Sequence, residues 1–171
     1  MAVSRRSFLR ISLGIGLLAS SGYILKDLYF PSPLTAGEIG TLEAFLDTLI
    51  PADSTPGALE LGVAGKILVT AREDAGYRRL IRKGCGWLDG KARGRKADSF
   101  FSLDGQGREI LVAEAAEHAQ GSLPRIFFER MRNDAFSHFY AHPASWKGLR
   151  YKGPPQPDGY PDYALGPPAQ S

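Results

Sequence analysis

Cysteine is almost absent, since Cys85 stands alone in 171 residues. One thiol cannot close an internal disulfide, hold an iron–sulfur cluster by itself, or supply the two attachment cysteines of a c-type haem. It is either buried and inert or paired with a cysteine of another chain. The surrounding Gly84-Cys85-Gly86-Trp87-Leu88 is small and mostly apolar, which favours burial. Long apolar runs are scarce too. The uncharged stretch from Ile11 to Leu25 falls short of the roughly 20 residues that cross a bilayer comfortably as a helix. An excess of one charge is also missing beyond the leader. The 21 basic residues outnumber the 18 acidic ones by Arg5, Arg6 and Arg10, the only charges before Ser21. The remainder is neutral, and no nucleic-acid partner is expected from net charge. Nucleophile elbows, phosphate-cradling loops and dinucleotide fingerprints are lacking; Gly14-Ile15-Gly16 has no strand before it. No catalytic and no cofactor-binding residue is therefore read from this chain.

What is present begins with Ser4-Arg5-Arg6-Ser7-Phe8-Leu9-Arg10, followed by an apolar segment diluted by Gly14, Gly16 and Gly22. This resembles the twin-arginine (Tat) export signal S-R-R-x-F-L-K, with Arg10 in the lysine position, and residues 1–27 are read as the signal segment. Arg5, Arg6, Phe8 and Leu9 are its expected signal residues. The resemblance implies recognition by the Tat translocase, export of a folded chain and residence in the periplasm. Ala19-Ser20-Ser21 offers small residues for cleavage, while an uncleaved signal would act as an anchor in the inner membrane; both remain open here.

Residues 28–171 read as a single helical domain. Thr35-Ala36-Gly37-Glu38 has capping-box spacing, and Ile39, Leu42, Phe45, Leu46 and Leu49 follow at helical period until Pro51. The stretch from Ile50 to Ala58 has turn chemistry. From Ala58, Leu59, Val63, Ile67 and Leu68 predict a second helix, in which Gly62 and Gly65 either weaken the helix or admit another backbone. Tyr77, Leu80, Ile81, Gly84, Trp87 and Leu88 form a third stripe. Arg78, Arg79, Arg82 and Lys83 occupy its other faces, and the basic run continues through Lys91, Arg93, Arg95 and Lys96 with Asp89 as the one acid. A solvated face is the expectation for that run, ahead of an acidic patch on a partner. After a connector over Ser99–Leu103, Asp104-Gly105-Gln106-Gly107 leads into a fourth helix with Ile110, Leu111, Ala115 and Ala119 facing inward. Ser122 caps a fifth, with Pro124 in its first turn. Ile126, Phe127, Phe128, Met131, Ala135, Phe136, Phe139 and Tyr140 make that helix apolar around much of its girth, as a central helix or one shared with a partner would be. No period-two run occurs. The fold class is all-α: a compact domain of about five helices with an irregular proline- and aromatic-rich tail over 143–171.

Asp134, His138 and His142 recur every four residues, which on a helix sets a carboxylate and two imidazoles on one face. They are weak metal candidates, because Pro143 frays the helix end and no fourth ligand is visible. His118 reads as a surface residue. In the tail, Trp146, Tyr151, Tyr160 and Tyr163 alternate with Pro154, Pro155, Pro157 and Pro161. Proline lowers the entropy lost on docking, and aromatic rings supply contact area with a polar handle. Trp146, Tyr151, Pro154, Pro155, Tyr160, Pro161 and Tyr163 are accordingly partner-binding candidates, or candidates for packing back on the chain's own helices.

Several of these pieces occur in a particular order. Leu34-Thr35-Ala36-x-Glu38 leads to Leu49-Ile50-Pro51-Ala52-Asp53, and Pro56-Gly57-Ala58-x-x-Leu61-Gly62-Val63 follows. Phe127-Phe128-x-x-Met131-Arg132-x-Asp134-Ala135-Phe136-x-x-Phe139-Tyr140-x-His142-Pro143 comes later, ahead of Trp146, Leu149, Tyr151 and Gly153-Pro154. The chain resembles the gluconate 2-dehydrogenase subunit 3 family over most of its length beyond the leader. It departs where Ala144-Ser145 replaces the Gly-Gly-Asn that commonly precedes the tryptophan. The resemblance implies a non-catalytic small subunit of a membrane-associated bacterial dehydrogenase for sugars or sugar acids. FAD would sit on a large partner subunit of the glucose–methanol–choline oxidoreductase type, and haem on a multihaem cytochrome c subunit. The small subunit would bring the export signal for the large one. A narrower expectation is a disulfide between Cys85 and the large subunit. The competing reading is a small periplasmic metal-binding protein or enzyme using Asp134, His138 and His142.

Overall fold

The computed structural model describes residues 32–146. Five α-helices make up the architecture, with no strand among the described residues. They are α1 (Ala36–Leu49), α2 (Val63–Glu73), α3 (Ala75–Gly94), α4 (Gly105–Glu117) and α5 (Leu123–Tyr140). Single 3₁₀ turns lie at Phe100–Ser102 and Pro143–Trp146. The all-α expectation holds.

The start of α1 follows directly from its sequence. Thr35 Oγ1 accepts from the Glu38 N–H at 3.2 Å, and the Thr35 N–H donates to Glu38 Oε2 at 2.7 Å, closing the predicted capping box. Asp74 caps α3 through the Tyr77 N–H, a hydrogen bond that holds its carboxyl below the ordinary 3.8. Asp104 caps α4 through the Gly107 N–H. The loop after α1 folds back on itself: the Ala58 N–H donates to the Ile50 carbonyl, and Asp53 accepts from both the backbone and the hydroxyl of Thr55. The second helix starts later than its apolar spacing predicts. Gly62 takes a left-handed conformation at φ 66°, so the helix begins at Val63 and Leu59 stays 43% exposed in the preceding turns. Gly65 has open space around it, so no backbone among the described residues uses it for close approach.

α1 and α5 form the centre, each packing against every other helix. Phe45 of α1 lies 5.0 Å from the Phe127 ring and edge-on to Phe128 at 6.4 Å. Around this aromatic cluster Leu42, Leu46, Ile67, Ile81, Leu88, Leu111 and Met131 are completely buried. Gly84 permits the closest approach in the bundle. A Cβ on it would stand 2.7 Å from Phe127 Cε2 and nearer still to the adjacent ring atoms. The connector also contributes to the core, because Phe100 is fully buried.

Some predicted inward positions face out. Ile110 is 44% exposed, and Ala119 lies beyond the end of α4, which stops at Glu117. On α5, Ile126, Phe136 and Tyr140 are exposed, so this helix buries one broad face and shows apolar side chains on the other. The start of the expected tail is regular: Pro143–Trp146 closes a 3₁₀ turn, with Ser145 buried and its Oγ donating to the His142 carbonyl.

Candidate functional site

The polar residues between the helices are the first place to look for chemistry, and three groups of them tie elements together. Asp89 on α3 accepts the Thr41 hydroxyl of α1 at 2.8 Å and the Phe100 N–H at 2.9 Å on one oxygen. It thereby satisfies a completely buried hydroxyl and fastens the connector. Tyr77 donates its hydroxyl to Asp134 Oδ2 at 2.6 Å, and Arg130 Nε donates to the same oxygen at 2.7 Å. The Arg130 guanidinium also lies 4.6 Å from the Tyr77 ring centre. Burial, then the hydrogen bond to Asp134, pushes the Tyr77 hydroxyl well above its ordinary value, and the bond to Asp134 raises Arg130 in turn. The third group is Arg82. Its Nε donates to Glu38 Oε1 at 3.0 Å, and its Nη2 donates to the carbonyls of Ser32 and Pro33 at 2.8 and 2.9 Å.

These ties decide the metal candidates. The Asp134 carboxylate faces Tyr77 and Arg130, and His142 Nδ1 accepts the Ala144 N–H at 3.2 Å, bracing the closing turn. Among the described residues no group of three His, Cys, Asp or Glu side chains is placed to hold a metal ion. Spacing alone suggested the trio, whereas the carboxylate is engaged by a tyrosine 57 residues away in the chain.

Cys85 is completely buried, and its thiol points at the Glu38 carbonyl, 3.5 Å away. Burial, followed by the nearby Asp89 and Glu38 charges, pushes the thiol far above its ordinary value. The expectation of burial holds, and a bond from this sulfur to another chain would require α1 and α3 to part around it.

The basic run divides into two sets. Arg79, Lys83, Arg93, Arg95 and Lys96 are exposed, as a solvated face requires. Arg78 and Arg82 are half-buried ties instead, and Lys91 pairs with Glu114 and lies over the Trp87 ring. Trp87 also meets His118 edge-on at 6.1 Å.

Two surface features remain. A cleft of about 380 Å³ lies among α1, α2 and the start of α3, lined by Pro33, Leu34, Ile39, Leu68, Ala71, Arg72 and Arg78. At the far end of α5, Phe136 and Tyr140 contact each other at 6.1 Å and stand exposed. Beside them Trp146 Nε1 donates to the Tyr140 carbonyl, half-burying the one partner-binding candidate of the tail that is described. Tyr151, Pro154, Pro155, Tyr160, Pro161 and Tyr163 lie outside the described residues, as do Arg5, Arg6, Phe8 and Leu9. No helix among the described residues is long and apolar enough to cross a membrane.

The sequence pattern of the family described as gluconate 2-dehydrogenase subunit 3 matches residues 36–153, well over half of the chain. The chain belongs to this family. The matched span runs from the first residue of α1 through α5 and its closing turn, so the family's pattern and the helical bundle coincide. Comparison with curated proteins and with solved structures gave no match. Membership makes the chain a dehydrogenase subunit.

Proposed function

We propose that this subunit is the non-catalytic small subunit of a FAD-dependent sugar or sugar-acid dehydrogenase, exporting and stabilising the flavoprotein large subunit. The family match over residues 36–153 carries the reading. The twin-arginine leader supplies the address, and the large subunit, folded with its FAD in the cytoplasm, travels with it to the periplasm. There the complex works at the inner membrane and passes electrons to a multihaem cytochrome c. The placement of polar groups supports a scaffolding role. Asp89, Asp134, Tyr77 and Arg82 spend their hydrogen bonds inside the chain, and exposed apolar side chains, among them Phe136 and Tyr140 on α5, are left for a partner.

The decisive experiment expresses the flavoprotein with and without this subunit and measures FAD enzyme in the periplasm. Replacing both Arg5 and Arg6 with lysine is expected to strand both chains in the cytoplasm. Equal periplasmic FAD enzyme with and without the subunit overturns the proposal.

A further inference from the structure

The cleft among α1, α2 and the start of α3 has a lining of two kinds. Pro33, Leu34, Ile39, Leu68 and Ala71 are apolar, Arg72 and Arg78 are cationic, and no acid is among the residues that line it. Its volume of about 380 Å³ falls in the lower range of small-molecule sites, which are largely apolar with a few placed polar groups. A water's share of liquid volume is roughly 30 Å³, so the cleft takes a ligand of about a dozen non-hydrogen atoms.

The two arginines differ in what holds them. Arg78 Nη1 donates to the Ala71 and Arg72 carbonyls at 2.6 and 3.0 Å, which fixes the guanidinium, while its Nε is buried with no acceptor among the described residues. Arg72 is exposed and enters none of the ion pairs among the described residues. The acids at the starts of α1 and α3 are already engaged, Glu38 with Arg82 and the Thr35 N–H, and Asp74 with the Tyr77 N–H. Two cations beside an apolar lining complement an anionic head on an apolar body. Polyhydroxylated sugar acids fit poorly. Apart from the two guanidinium groups the lining side chains have no polar atom, so most hydroxyls would be buried unpaired.

We propose that this cleft binds a single-chain amphipathic carboxylate of about eight to ten carbons, with its chain on Leu34, Ile39, Leu68 and Ala71 and its carboxylate at Arg72 and Arg78. The small subunit then has a ligand of its own, distinct in chemistry from a sugar or sugar acid. This inference stands on the cleft and its two arginines and does not depend on the export reading.

Calorimetric titration of the purified full chain with octanoate tests it. One octanoate per chain is expected, bound at least about ten-fold tighter than 1-octanol, which lacks the charge, or gluconate, which lacks the apolar body. Arg72→Gln alters an exposed side chain and is expected to weaken octanoate binding by about ten-fold. Leu68→Trp fills the cleft and is expected to abolish it. Ile110→Ala, at an exposed apolar side chain of α4 outside the cleft, is expected to leave it unchanged. Absence of saturable octanoate binding, or equal affinity for 1-octanol or gluconate, overturns the proposal. Binding that survives both Arg72→Gln and Leu68→Trp, or that is lost equally in Ile110→Ala, overturns it too. A chain that binds phosphatidylglycerol vesicles but no free octanoate also overturns it, and assigns the arginines to a membrane surface.

Discussion

Replacing Gly84 with alanine isolates the contact on which the α3–α5 packing turns. Alanine in an exposed helix interior stabilises by about 0.5–1 kcal/mol relative to glycine, through backbone entropy. At Gly84 that gain meets a steric cost. The added Cβ would stand 2.7 Å from Phe127 Cε2 and closer to two other ring atoms, whereas ordinary contact begins near 3.4 Å. The ring cannot simply swing away, because it is completely buried and packed at a tilt against Phe45, with the ring centres 5.0 Å apart. Overpacking of this kind costs about 1–3 kcal/mol and more when the neighbours are fixed. The net expectation for Gly84→Ala is a loss of about 2 kcal/mol, roughly 5–10 °C in Tm for a domain of this size. The same helix supplies controls. Gly86 and Gly90 have open space where a Cβ would go, so Gly86→Ala and Gly90→Ala should each stabilise by about 0.5–1 kcal/mol. Adding Phe127→Leu to Gly84→Ala should recover part of the loss. Thermal unfolding of the purified variants reads all four. If Gly84→Ala raises Tm alongside the two controls, the close approach of α3 to α5 is wrong.

Asp89→Ala should destabilise by about 2–3 kcal/mol in urea unfolding, since it orphans the buried Thr41 hydroxyl and the Phe100 N–H, whereas Asp89→Asn keeps an acceptor and should cost about half as much. Stability should fall in alkali. The folded state raises the Cys85 thiol above its ordinary 9.0 and the Tyr77 hydroxyl above its ordinary 10.0. Their contribution is complete below those values and is lost as the unfolded chain, but not the folded one, gives up its protons. Cys85→Ala and Tyr77→Phe should therefore each flatten the decline measured between about pH 9 and pH 11; an unchanged slope in both counts against the burial of these groups. At the acid end Asp74, held low by the Tyr77 N–H, stabilises above its ordinary 3.8, and that support disappears as pH falls through and below it. Asp74→Ala should accordingly reduce acid sensitivity while lowering Tm at neutral pH.

The elements that were legible in the sequence are those governed by local rules. The Thr35 capping box, the Asp104 start of α4 and the apolar stripe of α3 need only neighbours within a turn or two. What escaped depended on distant partners or on one residue's backbone. Gly62 moves the start of α2 because a left-handed φ stops helix propagation, and the spacing of Leu59 with Val63 carries no trace of that. Phe100 looked like part of a connector and is core, because Asp89 on the neighbouring helix receives its N–H. Asp89 itself stood out only as the one acid in a basic run. Arg78 and Arg82 were indistinguishable from Arg79 and Lys83 by composition; which of them turn inward is decided by the carbonyls of Ser32, Pro33, Ala71 and Arg72. The Asp134, His138 and His142 spacing was real, but Tyr77 had the stronger claim on the carboxylate. On α5 the apolar excess was visible from the start, and the structure divides it between the bundle and the exposed Ile126, Phe136 and Tyr140.

The buried sulfur of Cys85 has a consequence for where this protein can mature. A chain whose single thiol is sealed between α1 and α3 needs no oxidase, isomerase or glutathione couple to reach its native state. Its fold is redox-indifferent: the same bundle is expected under reducing and oxidising conditions alike, with no disulfide of its own to complete.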